Sequence, residues 1–289
     1  MNPDIPQLLA FAVETARSAG DVILAHDTPV PDHGAGPALK GTRDPVTAAD
    51  LAAERHIVER IRAAWPDTAI FAEEETRDAV GDGLTWYVDP IDGTVNFSQS
   101  LPMFAVSIAL YRGDEPLVGV VHAPRLGETF AAGRGLGATL TSGRGDDRTE
   151  HPLQVSSKDA LIDAVLATGF SYRRHEYNDS NVGHFNDFIL DVRGLRRGGS
   201  AALDLAFTAA GRLDGYWEPH LNPFDVAAGA LLVLEAGGVV TDMDGAPGWL
   251  HGGTIAAGPR GMHQRILERL AERPIADRAG IRADVDPAP

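Results

Sequence analysis

Two aspartates three residues apart, Asp89 and Asp92, lie in the segment Asp89-Pro90-Ile91-Asp92-Gly93-Thr94. Paired carboxylates held by a proline favour a hard divalent cation, because magnesium prefers oxygen ligands and keeps several of its waters. The Ile91 carbonyl could donate a further oxygen, and the backbone N–H groups that follow Gly93 could receive a phosphate. An Asp-Gly turn between two strands is the alternative interpretation of the same residues.

The overall charge restricts the possible partners. The chain has 289 residues, with 25 Lys and Arg against 41 Asp and Glu, which gives a net charge of −16. Such a surface should repel nucleic acids and acidic membranes, so a phosphorylated substrate needs local positive charge, which a bound cation can supply. The absence of cysteine excludes disulfides and thiol nucleophiles. The sequence has neither a secretory signal nor a membrane-spanning apolar stretch, so we expect a cytoplasmic protein.

Apolar periodicity predicts the elements that must position the aspartates. Helical spacing covers residues 5–25 and residues 47–65, where Pro66 ends the second helix. Short strands over residues 68–72 and 84–88 lead into Glu73 and Asp89 respectively. Further strand-like runs at residues 103–111, 116–122 and 128–132, separated by turn residues, predict an antiparallel meander.

The second half of the sequence alternates between strand and helix patterns. Strands are predicted over residues 164–168, 213–218 and 239–241, and helices over residues 181–190, 200–210 and 223–236. The polar segment 141–150 is the best lobe boundary. We therefore expect an N-terminal α+β lobe over residues 1–148, a C-terminal α/β lobe over residues 149–272 and a flexible tail over residues 273–289.

The segment from Trp86 to Phe97 resembles the first signature of the inositol monophosphatase family. Other segments resemble the family's motifs in the expected order, with Ala for Gly at position 72 and Phe for Trp at position 224: Lys40 with Asp44 to Asp50, Ala72-Glu73-Glu74, Arg197 to Ala202, Phe224 to Gly229, and Glu235 to Gly238. The resemblance extends over about residues 5–265. It implies a layered αβαβα sandwich and a magnesium-dependent, lithium-sensitive phosphomonoesterase, with a homodimer as the common assembly.

The same resemblance implies roles for individual residues. Metal ligands would be Glu73, Asp89, the Ile91 carbonyl, Asp92 and Asp225, and the catalytic residues would be Glu73, Thr94 and Asp50. Substrate contacts would come from Gly93, Thr94, Gly199, Ser200, Ala201 and Glu218. The substrate would be a small phosphate monoester, inositol monophosphate first, with histidinol phosphate, fructose 1,6-bisphosphate, 3′-phosphoadenosine 5′-phosphate and NADP as alternatives. The loop over residues 28–43, which carries Lys40, would cover the site.

Several of these residues also have a simpler interpretation. Glu73 belongs to a run of three glutamates, which is usually a solvated surface. Asp50 and Asp225 each stand three residues after a helix-capping residue and could complete a capping box. The glycine-rich segment 133–137 superficially resembles a dinucleotide-binding loop, but a strand pattern follows it instead of a helix. A non-catalytic binding module is a further alternative, which loss of a metal carboxylate would favour.

Overall fold

The computed structural model describes residues 4–27, 38–39, 45–143, 145–175, 177 and 180–273. Apart from residues 38 and 39, the loop predicted over residues 28–43 lies outside them, as do Asp44 and the tail from residue 274. Two short strands, β1 (Ala38–Leu39) and β2 (Pro45–Val46), pair antiparallel beside this loop.

The two helices predicted near the N-terminus are confirmed. Helix α1 (Ile5–His26) starts after Asp4, whose side chain accepts a hydrogen bond from the Gln7 amide. Helix α2 (Ala48–Ala64) starts with a reciprocal capping box between Thr47 and Asp50, which satisfies N–H groups that the first turn leaves free. None of the described helices combines the length and hydrophobicity that crossing a bilayer requires.

Seven strands form the first sheet, in chain order: β3 (Ala69–Ala72), β4 (Leu84–Asp92), β5 (Ala105–Arg112), β6 (Glu115–Ala123), β7 (Glu128–Gly133), β8 (Gly137–Ser142) and β9 (Thr149–Pro152). Strand β3 runs parallel to β4, and every later neighbour is antiparallel, which confirms the predicted meander. A short helix, α3 (Thr94–Ser98), follows β4 directly. Strand β4 is four residues longer than predicted and contains both central aspartates.

Five strands form the second sheet, in the order β11-β10-β12-β14-β13. Their bounds are β10 (Val165–Thr168), β11 (Gly194–Arg196), β12 (Gly215–Pro219), β13 (Val239–Thr241) and β14 (Thr254–Gly258). The remaining helices are α4 (Val182–Ile189), α5 (Ala201–Ala209), α6 (Pro223–Glu235), α7 (Trp249–Gly252) and α8 (Arg260–Ala271). Strand β10 is parallel to β11 and β12, whereas β14 is antiparallel to both of its neighbours.

The five layers of the expected αβαβα sandwich are present. Helices α1 and α2 cover the outer face of the first sheet, and α5 and α6 lie between the two sheets. Helices α4 and α8 cover the far face of the second sheet. Each sheet is thus buried on both faces, so Trp86 and Val88 contact one layer while Tyr87 contacts the other. This double burial explains why the strand sequences are apolar without strict alternation.

Helix α6 ties the two halves of the chain together. The Tyr111 hydroxyl on β5 donates to the Ala227 carbonyl at 2.8 Å, and the Ser107 hydroxyl donates to the Phe224 carbonyl at 3.1 Å. Strand β9 pairs with β8, so the first sheet continues to Pro152. The proposed division at residues 148 and 149 stays a prediction, and both lobes contribute to one central hydrophobic core.

The contact between β6 and α6 generates a stability prediction for Gly119→Ala. A β-carbon at this position would lie 2.8 Å from the Ala228 carbonyl oxygen and 3.1 Å from its Cα, both of which are helix backbone. Since the backbone of α6 must shift to accommodate it, we expect a loss of about 1–3 kcal/mol in unfolding free energy. Thermal unfolding would measure this loss. Gly81→Ala is the control, because a β-carbon there has no neighbour within 4 Å; equal effects of the two substitutions would contradict the prediction.

Candidate active site

A β-bulge places the two central aspartates on the same side of β4. Asp89 pairs with Ser107 and Asp92 pairs with Ala105, so three steps along β4 correspond to two along β5. On a regular strand, residues three apart point to opposite faces, and one inserted residue reverses that relation. The bulge therefore brings Asp89 close enough to Asp92 for their charges to interact.

Three carboxylates converge around Asp89, which is only 2% exposed. One carboxylate oxygen of Asp89 accepts a hydrogen bond from the Ile91 amide at 3.0 Å. Burial is the main reason why the pKa of Asp89 lies well above its ordinary value. The negative charges of three neighbours raise this pKa further: Glu73, Asp92 and Asp225. These residues come from the end of β3, from β4 and from the start of α6, so the predicted metal carboxylates are brought together.

A buried glutamate on α2 holds the segment that carries Glu73. The Glu54 carboxylate accepts hydrogen bonds from three successive backbone amides: Glu74 at 2.7 Å, Glu75 at 2.9 Å and Thr76 at 2.8 Å. The Glu73 amide donates to the Val88 carbonyl at 3.1 Å, which extends the pairing of β3 with β4. The run of three glutamates is therefore a fixed turn beside Asp89 and not simply a solvated surface.

Asp92 connects the first lobe to the start of α5. Its Oδ2 accepts hydrogen bonds from the Ser200 hydroxyl at 2.7 Å and from the Ala202 amide at 2.6 Å. Burial raises the pKa of Asp92 to about 6, although these two hydrogen bonds lower it. The predicted contacts Gly199, Ser200 and Ala201 thus stand directly beside a predicted metal ligand.

Gly93 allows the chain to turn from β4 into α3. Its φ of 101° lies in the left-handed region, and a β-carbon would lie 2.9 Å from the Met103 carbonyl oxygen. The side chain of Asn96, on α3, donates to the Met103 carbonyl at 2.6 Å and to the Gly198 carbonyl at 2.9 Å. The start of α3 is therefore joined to the segment before α5.

Thr94 and Asp50 form a second polar contact within the site. The Thr94 hydroxyl lies 3.1 Å from Oδ1 of Asp50 and 3.0 Å from the Ile91 carbonyl. Asp50 is fully buried, and its Oδ2 accepts the Thr47 amide at 2.8 Å in the capping box of α2. Burial raises the pKa of Asp50, whereas the hydrogen bonds from Thr47 lower it. Asp50 thus caps a helix and contacts Thr94 at the same time.

Asp225 caps a helix and also lies near the other carboxylates of the site. Its Oδ2 accepts the Asn222 amide at 2.7 Å, as a capping residue of α6 would. Burial raises the pKa of Asp225 well above its ordinary value, and the charges of Asp92 and Glu73 add to this effect.

Glu218, on β12, belongs to a buried polar group in the second lobe. It accepts a hydrogen bond from the Tyr216 hydroxyl. Burial raises the pKa of Glu218 to about 7, while Tyr216 and the positive charge of Arg197 lower it. The pKa of Asp204, on α5, is raised by burial and then by the charge of Glu218, so the two carboxylates are close neighbours.

The donor set of the site suits a hard divalent cation. Asp89, Asp92 and Asp225, of which Asp89 is buried and the other two are half-buried, form no ion pair with Lys or Arg in the described part of the chain, so their charges need another counter-charge. As they stand, no three carboxylate or histidine side chains of the described residues are arranged to hold a metal ion. Each of the three aspartates turns one oxygen towards a backbone amide, which leaves its other oxygen available to a cation. Their chemistry and mutual charge effects still fit a cation that neutralises them.

Comparison with known proteins assigns the fold and the carboxylate motifs to one family. The model of the inositol monophosphatase family matches residues 4–274. The chain belongs to this family. It is a phosphatase of the inositol monophosphatase type, and such enzymes are generally metal-dependent.

Two relatives and two solved structures illustrate the similarity. An inositol-1-monophosphatase of Synechocystis is 44% identical over 232 residues, which cover 80% of this chain and 78% of the relative. The Nus factor SuhB of Escherichia coli is 40% identical over 266 residues, covering 92% and 96%. An inositol monophosphatase structure from Anabaena has a TM-score of 0.82 at 37% identity, covering 95% and 99%. A staphylococcal IMPase-II bound to inositol monophosphate has a TM-score of 0.73 at 28% identity, covering 92% and 95%.

Two glutamates of this phosphatase were not assigned their roles from the sequence. Glu54 lies on the buried stripe of α2, between Ala53 and Ile57, and a charged residue at a core-facing position was the available signal. Glu235 accepts the Gly135 and Gly137 amides, both at 2.9 Å, and so holds the turn between β7 and β8. The glycine-rich segment 133–137 is therefore a β-hairpin, and its resemblance to a dinucleotide loop was superficial.

The Glu54 contacts predict that Glu54→Gln weakens binding of a divalent cation. An amide side chain has one acceptor oxygen and no charge, so it cannot hold all three amides of the Glu73 turn. We expect cation affinity to fall about tenfold and the unfolding free energy to fall by about 1–3 kcal/mol. Calorimetric titration with magnesium would measure the affinity. Glu59→Gln, an exposed change on the same helix, is the control; unchanged affinity in Glu54→Gln would show that the turn is held without Glu54.

The raised pKa of Glu218 predicts a pH-dependent stability of the metal-free phosphatase. Because folding raises this pKa to about 7, from 4.5, the folded state binds the proton more tightly than the unfolded chain. The resulting stabilisation is complete below pH 4.5 and is lost as the pH rises through 7. Between acid and alkaline pH, the unfolding free energy of the wild type should fall by roughly 3 kcal/mol relative to Glu218→Gln. Urea unfolding of both proteins from pH 5 to pH 8 would test this, and a pH-independent difference would contradict it.

Proposed function

We propose that this phosphatase hydrolyses inositol monophosphate with magnesium as its metal. The observation that carries the proposal is the convergence of Glu73, Asp89, Asp92 and Asp225 at the junction of the two lobes, next to the Thr94 hydroxyl. Such a group of buried and half-buried carboxylates can gather divalent cations, and the cations can in turn bind a phosphate ester that the protein itself would repel.

The residues would share the cations between them. Glu73, Asp89 and the Ile91 carbonyl would hold one magnesium, and Asp89, Asp92 and Asp225 would hold a second. When bound, such ions lower the pKa of a coordinated water and neutralise charge on the phosphoryl group. Loss of a metal carboxylate would have favoured a binding module, and all four carboxylates are retained in this sequence.

Thr94 and Asp50 would orient the attacking water together with Glu73. The Thr94 hydroxyl has one proton and two acceptors within reach, Asp50 and the Ile91 carbonyl. An Ile91 carbonyl occupied by a cation would leave Asp50 as the acceptor. The Thr94 oxygen could then accept a hydrogen bond from one O–H of the water, and the Glu73 carboxylate would take the proton of the other O–H as a general base.

The second lobe would recognise the alcohol part of the substrate. The Gly93 and Thr94 amides at the start of α3 would contact the phosphate, while Gly199, Ser200 and Ala201 would contact the alcohol. Glu218 would accept hydrogen bonds from its hydroxyls, which favours a polyol. The name of the Synechocystis relative and the inositol monophosphate bound to the staphylococcal enzyme support the same substrate.

The remaining family properties are part of the proposal. We propose a cytoplasmic homodimer that does not bind nucleic acid, in keeping with its net charge of −16. Lithium should inhibit by competing at a magnesium site. We also propose that the loop over residues 28–43, with Lys40, covers the site during turnover.

The proposed mechanism predicts that Asp89→Asn abolishes phosphate release without unfolding the protein. The substitution keeps the shape of the side chain but removes a charge shared by both cations, so we expect activity to fall by about a hundredfold or more. Phosphate release from inositol 1-phosphate, with and without magnesium, would measure it. Asp82→Asn, in the exposed turn before the same strand, is the matched control.

A substrate panel would test the specificity. It would include histidinol phosphate, fructose 1,6-bisphosphate, 3′-phosphoadenosine 5′-phosphate and NADP beside inositol 1-phosphate. Full turnover in excess chelator would contradict the metal mechanism, and faster release from another panel member would replace inositol phosphate as the substrate.

A further inference from the structure

A cavity lies beside α1, away from the carboxylates. It has a volume of about 240 Å³ and opens between α1 and the neighbouring ends of β6, β7 and β8. Its polar lining comes from Arg17, Asp21, His122, Thr129, Thr141 and Arg148, which we call the arginine cavity. Drug-sized ligands generally need a pocket of about 300 Å³ or more, so this one suits a small ion.

The two guanidinium groups of the arginine cavity lie close together without a bonded carboxylate. The Nε of Arg17 donates to the Thr129 hydroxyl at 3.2 Å. Neither Arg17 nor Arg148 forms an ion pair within the residues that the structure describes. Burial lowers the pKa of Arg17, and the positive charge of Arg148 lowers it further, which indicates that the two charges repel each other. The negative charge of the nearby Glu150 raises the pKa of Arg17 and so opposes this repulsion only in part, and Asp21 is a further carboxylate in the lining.

His122 adds no positive charge to this cavity at neutral pH. Its Nδ1 lies 3.1 Å from the Glu128 carbonyl, which can only accept, so this nitrogen carries the proton. Burial lowers the pKa of His122 to about 4, so the ring is neutral near pH 7. The positive charge available to a ligand therefore comes from the two arginines.

The arginine cavity is separate from the catalytic carboxylates. His122 on β6 pairs with Val106 on β5, and the preceding β5 residue, Ala105, pairs with Asp92. Both sites therefore lie at the same end of the first sheet. Strands β6 and β8 stand two and four places from β4, which corresponds to roughly 10–20 Å. The first site is made of carboxylates and needs a cation, whereas at the second Arg17 and Arg148 offer guanidinium donors to an anion.

We propose that the arginine cavity is a second anion site, which binds inorganic phosphate through Arg17 and Arg148. Guanidinium groups match the tetrahedral oxygens of phosphate with paired hydrogen bonds, and a bound dianion would relieve the repulsion between the two arginines. The Thr141 hydroxyl can donate a further hydrogen bond. This proposal does not depend on the substrate of the catalytic site, although phosphate is the product of any phosphomonoesterase.

Metal-free protein separates the two sites in an experiment. After removal of cations with a chelator, the catalytic carboxylates repel phosphate, while the arginine cavity needs no metal. We expect calorimetric titration of the metal-free protein with inorganic phosphate to give one site per chain. Arg148→Gln should weaken this binding by about tenfold or more. Arg134→Gln removes the same charge from an exposed arginine that pairs with Glu115, and it should leave the affinity unchanged.

Two further measurements keep the test decisive. Arg17→Gln removes the hydrogen bond to Thr129, so thermal unfolding must show whether this variant still folds. If it does not, the test rests on Arg148→Gln, because Arg148 is exposed. Metal-free Asp89→Asn should bind phosphate as the wild type does. The proposal is overturned if the wild type shows no saturable binding, if Arg148→Gln binds like Arg134→Gln, or if Asp89→Asn alters the affinity more than Arg148→Gln.

Discussion

The hydrogen bonds of Asp92 join the end of β4 to the start of α5 at the point where the carboxylates meet. One oxygen of this side chain holds both the Ser200 hydroxyl and the Ala202 amide, so the first turn of α5 is fixed against the end of β4. Asn96 repeats the connection from α3 to Gly198. Because Asp92 contacts the start of α5 directly, the position of α5 against β4 also sets the distance between the groups that would hold cations and those that would contact the substrate.

Neighbouring buried carboxylates are costly in a protein interior, and backbone amides offset part of that cost. Asp89, Asp92 and Asp225 each accept at least one amide hydrogen bond, and Asp92 and Asp225 lie at helix starts, where the dipole favours negative charge. These bonds do not cancel the mutual repulsion, since burial and neighbouring charges still raise all three pKa values. The uncompensated negative charge favours cation binding at this site, whereas the paired guanidinium groups of the arginine cavity favour an anion.

Local patterns predicted many of the elements, but not β9, β11, β14 or α8, nor the geometry that brings the carboxylates together. Helices α1 and α2 and strands β3 to β7 of the first sheet followed from apolar spacing and from Thr47, Pro66 and the turn residues. The bulge between Asp89 and Asp92 could not be predicted, because it depends on the register with β5. The partners of Glu54 and Glu235 were equally hidden, since each accepts amides from a segment at least twenty residues away. The residue types indicated the chemistry of the site, whereas the two glutamates that hold the turns could be identified only from the tertiary structure.

The placement of α5 and α6 between the two sheets has a consequence for how the chain folds during synthesis. The inner face of the first sheet, including Tyr87, Tyr111 and Phe130, is covered by helices that end near residue 235. A nascent chain that has emerged only to β9 therefore exposes a large apolar surface and has no partner for it. More than eighty further residues must be synthesised before α5 and α6 can cover this face of the sheet. In a growing polypeptide this interval is when a chaperone would be most needed.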